Sequence, residues 1–342
     1  MKKHNNLYDQ LTTFYSMSVE ELVLKILANY ENTVSKYSKN KKNGGLREIY
    51  MVDKNSLLWS VQKYIINNYF SLKILPDCAY GFKKGKSYFD FLNHHVSRDA
   101  TRLFLKLDIE EFFDSIDVDF LIKEIVEDYE KDPTKRKELE RLFLLLFSCE
   151  KKLPQGFQSS PFLSNYYFFR ADLRIQNYCS KLGYKYSRYA DDIILSSEKS
   201  TDLISSKTIS MIGHILYDFN LKLNKEKTKS SKNELSLNGF VVSSEVRLSQ
   251  KKLKELRRVL FIIEKNKKNT SEFIIESINL DKNVTKDNKK RVFTKEYLLE
   301  YLSGNRSFLI SSLKKKSNTS ASWETQGSKL ITRIEKSIVQ IY

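Results

Sequence analysis

Two places in the chain put carboxylates at the ends of β-patterned runs, and together they limit what the rest can fold into. Arg102-Leu103-Phe104-Leu105-Lys106-Leu107 is one such run, and it ends on Asp108. Two shorter runs, 185–189 and 193–197, lie on either side of Ala190-Asp191-Asp192, the pattern of a hairpin. A sheet that set these strands side by side would bring three acidic residues to one spot. Two carboxylates held 4 Å apart repel by about 4 kcal/mol at an effective dielectric of 20. Divalent cations turn that repulsion into a binding site, and hard ions such as Mg2+ take oxygen ligands. A pair of such ions can clamp the attacking and leaving oxygens of a phosphoryl displacement. Taken alone, an Asp-Asp pair is also the ordinary composition of a solvated turn.

Charge gives the chain a partner class. Of 342 residues, 59 are Lys or Arg and 42 are Asp or Glu, a formal net charge of +17. Residues 251–342 hold 21 of the bases against 10 acids, a local net of +11, which leaves +6 for the first 250. A basic C-terminal third is the footprint expected of a grip on a phosphate backbone, although Lys-rich surfaces also serve solubility. With 41% hydrophobic and 13% aromatic residues the chain is no disordered tail, and 10 glycines and 4 prolines exclude collagen-like and turn-rich all-β architectures.

Cys78, Cys149 and Cys179 are far apart, and His4, His94, His95 and His214 have no metal-ligand spacing. Neither a disulfide framework nor a zinc knuckle is expected, and the setting is read as reducing and cytoplasmic. The start, Met-Lys-Lys-His-Asn-Asn, meets no signal-like apolar core, and the apolar stretch 142–147 is far too short to span a bilayer, so no membrane partner is expected.

Apolar spacing predicts helices over 18–30, 57–69, 118–130, 137–147, from Ser159 onward and over 205–219, with Ser18 and Glu21 set as a capping box. Strands are expected at 46–50, 102–107 (ending on Asp108), 185–189, 193–197 and, as a short pair, within 235–242. The stretches 39–45 and 79–87 read as polar or glycine-punctuated loops. From Ser249 the pattern becomes basic helices, broken at 266–270, 281–290 and 314–326. Mixed elements followed by helices alone indicate an α+β region and then an α region.

At this point the chain resembles the reverse transcriptase family. Tyr189-Ala190-Asp191-Asp192 matches its YxDD box. Leu105-Lys106-Leu107-Asp108 followed by Phe112-Phe113 matches motif A, and Leu153-Pro154-Gln155-Gly156-Phe157-Gln158-Ser159-Ser160-Pro161 matches the LPQGxxxSP of motif B, all in the family's order. Residues 79–87 are similar to the AxGFxxGxS box of bacterial members, residues 221–228 to motif D, and residues 302–308 to a late thumb element, so the likeness runs from about 40 to 312.

The resemblance implies an α+β right-hand polymerase, with fingers, a ferredoxin-like palm and a helical basic thumb. Residues 1–100 would form the N-terminal extension and fingers, 101–246 the palm (with 118–152 open to assignment to the fingers), and 247–342 the thumb and C-terminal RNA-binding region. It also implies two Mg2+ ions, or Mn2+, on Asp108, Asp191, Asp192 and the Ile109 carbonyl. Phe113 would stand against the sugar and disfavour a ribose 2′-hydroxyl, although Phe112 and Phe113 could both be core residues. Gln155 and Gly156 would position nucleotide and template, Arg47 would meet the triphosphate, and Lys227 would protonate departing pyrophosphate, with Lys222, Lys225 and Lys229 close by as alternatives.

Within the family, retron enzymes carry an NAxxH element and a VTG triplet. Here His95 is in place, but Phe91-Leu92 replaces the NA pair and the triplet reads Leu237-Asn238-Gly239. These departures favour the neighbouring defence-associated bacterial enzymes. The resemblance thus implies copying of a structured non-coding RNA into DNA in antiphage defence, with deoxynucleoside triphosphates, an RNA–DNA duplex and a defence effector protein as partners. Template-independent or protein-primed synthesis, and a non-catalytic RNA-binding scaffold, are the alternatives.

The basic C-terminal third generates a first prediction. Affinity for a primer–template duplex, measured by filter binding over a salt series, should fall steeply, each phosphate contact adding nearly one unit to the slope of log affinity against log salt. A flat response would contradict the charge clamp.

Overall fold

The chain is described here from a computed structural model. It covers residues 6–40, 44–97, 102–198, 205–281, 284, 292–313 and 321–342. The described residues fall into two compact units. One lies within Met1–Lys86, Lys106–Leu195 and Ile204–Lys229, the other within Ser87–Leu105, Ser196–Leu203 and Ser230–Tyr342.

The first unit opens with helices α1 (Leu7–Tyr15), α2 (Val19–Ala28) and the single turn α3 (Tyr30–Thr33). The predicted capping box at Ser18 and Glu21 is present on α2: each residue's side chain bonds the other's backbone N–H. Strands β1 (Val34–Asn40) and β2 (Leu46–Val52) form an antiparallel hairpin, in register Val34 opposite Val52 through Asn40 opposite Leu46. Then come α4 (Leu57–Asn68) and, in the second unit, α5 (Tyr88–Asn93). Back in the first unit lie α6 (Val118–Tyr129) and α7 (Pro133–Phe147), the latter opened by Asp132 as N-cap with proline at the first helical position. Helix α7 packs on α2, α4 and α6. Phe143 and Phe147 are its fully buried anchors, their rings 6.4 and 5.5 Å from Phe70.

The site is positioned by a four-stranded sheet. Its strands are β3 (Leu103–Asp108), β4 (Lys185–Tyr189), β5 (Asp192–Ser197) and β6 (Lys229–Lys232), in the order β4-β5-β3-β6. Helix α8 (Ser160–Lys181) precedes β4, and α9 (Ser206–Tyr217) lies between β5 and β6. With helices between its first and second and its third and fourth strands, the sheet has the split βαββαβ topology of a ferredoxin-like palm. Strand β3 is internal, which explains why five of its six residues, all but Leu103, are buried.

In the second unit, β7 (Leu235–Leu237), β8 (Phe240–Val242) and β9 (Val246–Leu248) form an antiparallel meander. Helices α10 (Gln250–Lys265), α11 (Ser271–Leu280), α12 (Lys295–Leu313) and α13 (Ala321–Ile341) then enclose a core of Leu253, Leu256, Leu260, Leu298, Leu302 and Ile334. His95 is also buried in this unit, its Nδ1 2.8 Å from Ser196 Oγ, while its carbonyl accepts from Arg102, which pairs with Glu198. His95 is therefore a packing residue. No helix of the described residues is long and apolar enough to cross a membrane.

Several elements differ from the sequence expectation. The apolar spacing predicts neither helices α1, α3 and α5 nor strands β1, β6 and β9. Strand β1 ends at Asn40, inside the stretch read as a loop, because it is exposed along nearly its whole length and carries no alternating apolar signal. Helix α7 starts at Pro133 rather than Lys137. Helix α13 starts at Ala321, inside the expected break at 314–326. Residues 314–320 and most of 281–290 lie outside the described residues.

Removing a buried ring from α7 leaves a void between three helices. Phe143→Ala should cost about 3–5 kcal/mol of unfolding free energy, read from urea denaturation. A loss below about 1 kcal/mol would show that α7 can collapse onto the gap.

Candidate active site

Strand β3 delivers Asp108 at its C-terminal end, the two-residue turn Ala190-Asp191 between β4 and β5 delivers Asp191, and Asp192 is the first residue of β5. Ala190 in that turn has φ 54°, the left-handed region that costs an L-residue roughly 1–2 kcal/mol. The turn is tied to β3 through its backbone: the Ile109 N–H donates to the Asp191 carbonyl at 3.1 Å. On the other side of β3, the Asn224 N–H donates to the Asp108 carbonyl at 2.8 Å and the Glu110 N–H to the Lys222 carbonyl at 2.9 Å. Residues 221–228 therefore run alongside the end of β3.

Two ammonium groups stand among the carboxylates. Lys227 Nζ lies 3.0 Å from Asp108 Oδ1. Lys106 Nζ lies 2.8 Å from Asp192 Oδ1 and 3.9 Å from Asp108 Oδ2. Lys106 stands two residues before Asp108, so the period-two pleat sets both side chains on one face of the strand. Asp191 is half-buried, and its carboxyl is pushed above the usual range by burial first, then by the charges of Asp192 and Asp108, with Lys227 opposing. The Lys227 ammonium is held above its ordinary value, chiefly by its hydrogen bond to Asp108.

Among the described residues no group of three acidic, histidine or cysteine side chains is arranged to hold a metal ion as the atoms stand. The donor chemistry nevertheless suits a hard cation. Three carboxylates crowd together, and the positions against Asp108 and Asp192 are already taken by positive charge.

Motif B lies against β2. The Tyr50 N–H donates to the Gln155 carbonyl at 2.8 Å. Gly156 has φ 110°, and a Cβ built there would stand 2.2 Å from the Tyr50 carbonyl oxygen, so this close approach of two backbones admits only glycine. Gln155 is half-buried, while Leu153 and Phe157 anchor the loop from below. The Ser160 hydroxyl closes the loop onto the Pro154 carbonyl at 2.6 Å.

The two phenylalanines after Asp108 divide the roles weighed for them. Phe112 is buried against Phe168, with ring centres 6.0 Å apart. Phe113 is half-buried and lies 6.3 Å from Phe82, which in turn lies 6.4 Å from Tyr189. Phe82 therefore joins the site's aromatic wall, at a φ of 58° that the glycine-punctuated sequence around it did not single out. Arg47 is exposed on β2, opposite Lys39. Lys106 was missed as a site residue; a lysine within an otherwise apolar run was the available signal.

A family model described as "Reverse transcriptase (RNA-dependent DNA polymerase)" matches residues 39–242. The retron Ec86 reverse transcriptase of Escherichia coli is 28% identical over 258 residues, 74% of this chain and 76% of that protein. The retron Ec73 reverse transcriptase of Escherichia coli is 33% identical over 165 residues, 46% of this chain and 51% of that protein. The retron Se72 reverse transcriptase of Salmonella heidelberg is 26% identical over 253 residues, 71% of this chain and 63% of that protein. The chain thus spans three quarters of the first of these relatives, about half of the second and under two thirds of the third. All three of these relatives are retron enzymes.

The crowding at Asp191 has a consequence for stability. A carboxyl whose pKa is raised on folding adds stability below its unfolded pKa, and that stability is lost as pH rises through the folded value. At neutral pH, in chelator, Asp191→Asn should therefore raise the melting temperature, with the gain shrinking toward acid pH. A lower melting temperature for the variant at pH 7 would contradict the repulsion.

Proposed function

The chain belongs to the reverse transcriptase family, the RNA-dependent DNA polymerases, and we propose that it copies a structured non-coding RNA into DNA in the manner of a retron enzyme, as part of antiphage defence. The observation that carries the catalytic part is the meeting of Asp108, Asp191 and Asp192 at adjoining strand ends, with the Lys227 ammonium on Asp108. In this reading residues 1–100 serve as N-terminal extension and fingers, 101–246 as palm (with 118–152 open to assignment to the fingers) and 247–342 as a basic, RNA-binding thumb on the RNA–DNA duplex.

Asp108, Asp191 and the Ile109 carbonyl would hold two Mg2+ or Mn2+ ions, with Asp192 completing the set, and the ions would supply charge neutralisation and activation of the primer hydroxyl. The chain's own groups do the rest. Gln155 and Gly156 orient nucleotide and template, the glycine by letting the loop close against the backbone of β2. Phe113 lies against the sugar and excludes a 2′-hydroxyl, which favours deoxynucleotides. Arg47, exposed at the fingers hairpin, offers a fork of donors to the triphosphate. Lys227 keeps its proton through the hydrogen bond to Asp108 and gives it from Nζ to departing pyrophosphate. Positioning and electrostatics account for most of the rate.

The test combines extension and recovery. Protein expressed from its native locus should carry short DNA joined to a structured RNA and should extend a primer on an RNA template with deoxynucleotides. Asp191→Asn with Asp192→Asn should abolish both. RNA alone from both proteins, with no extension by either, would overturn the polymerase reading and leave the scaffold; long DNA not linked to RNA would overturn the retron reading.

A further inference from the structure

The turn that carries Asp191 and Asp192 is backed by a charged network with no access to solvent. Arg188 on β4 and Asp172 on α8 are both 0% exposed. Arg188 Nε lies 3.0 and 3.2 Å from the two carboxylate oxygens of Asp172, and Nη2 lies 2.7 Å from Oδ2. Tyr186 donates its hydroxyl to the same carboxylate at 2.6 Å. The remaining arms of the fork point elsewhere. Nη2 also donates to Asn165 Oδ1 at 3.0 Å, and Nη1 donates to the Ala190 carbonyl at 3.2 Å. The guanidinium lies over the Phe168 ring, 4.2 Å from its centre.

The same network reaches the segment before the site. Asn165 Nδ2 donates to the Gly81 carbonyl at 2.8 Å. The Tyr80 N–H donates to the Arg188 carbonyl, and the Arg188 N–H to the Cys78 carbonyl, both at 2.8 Å. A Cβ on Gly81 would stand 2.5 Å from the Ala190 nitrogen. Residues 78–81, α8 and the turn thus meet at Arg188, through its backbone, its side chain and its partner Asn165.

Stability alone does not account for such a group. A buried ion pair is often matched or bettered by apolar residues of similar volume. What an apolar side chain cannot do is hold the carbonyl of Ala190, a non-glycine residue kept in the left-handed region, immediately before Asp191. We propose that Arg188 is a positioning residue for nucleotidyl transfer: anchored by Asp172 and Asn165, its guanidinium fixes the peptide between Ala190 and Asp191 and so aims the carboxylates. This rests on the reading of those aspartates as catalytic.

The decisive variant replaces the network by apolar groups, Asp172→Leu, Tyr186→Phe and Arg188→Met together, so that neither buried charge is left without its counter-charge. With a melting temperature near that of the wild type, its kcat should fall about 100-fold, with the KM for deoxynucleotide and the affinity for primer–template within about threefold. Mn2+ affinity, read by electron paramagnetic resonance without nucleotide, should weaken by on the order of tenfold. A folded triple variant whose kcat and Mn2+ affinity stay near wild type would overturn the proposal, as would a loss carried by RNA affinity. If the triple variant does not fold, Asn165→Ala decides, since it leaves the ion pair in place. Its kcat should fall about tenfold at unchanged RNA affinity, and a kcat within twofold of wild type would overturn the proposal. A wild-type protein that extends no primer would instead refute the polymerase reading, while the Mn2+ titration would still report on positioning.

Discussion

Like charge gathered at the ends of internal strands is the constraint on which the rest of the site depends. Asp108, Asp191 and Asp192 converge where burial already penalises ionisation, and the penalty falls visibly on Asp191. Left alone, such a cluster would protonate or spread apart. The chain meets it with Lys106 from the same strand and Lys227 from the segment beside it. Three carboxylates against two ammonium groups leave one formal negative charge. A residual negative charge of this kind attracts cations.

Rigidity comes from strain held in place by packing. Ala190 and Phe82 occupy left-handed backbone without being glycine, and Gly156 sits where no side chain fits. Such conformations persist only where their surroundings over-determine them. Around the turn, those surroundings are the Ile109–Asp191 backbone bond and the Arg188–Asp172–Asn165 network. Preorganised groups of this sort need not rearrange as charge develops in a reaction, which is the main advantage of an enzyme site over water.

The parts legible in the sequence were those with short-range signatures. Asp108 ends an apolar strand, the Ala190-Asp191-Asp192 turn sits between two β-patterned runs, and the Ser18 and Glu21 capping box can be read three residues apart. Strand β1 and helix α1 gave no comparable signal, since β1 is polar and exposed and draws its form from pairing with β2. The difference in burial between Phe112 and Phe113 was not legible in the sequence because it depends on the distant Phe168 and Phe82. Arg188 and Lys106 look like ordinary bases in a basic chain. Only the fold shows that each is buried beside a carboxylate.

The central claim is that the carboxylate cluster is a cation site whose lysines hold the place of positive charge. Crystals soaked with Mn2+ and a non-hydrolysable deoxynucleoside triphosphate would test it directly through anomalous scattering at the manganese edge. The account predicts manganese bonded to Asp108 and Asp191, with Lys227 Nζ moved off Asp108 Oδ1. Manganese absent from the cluster, with both lysines still on their carboxylates and the nucleotide bound, would contradict it.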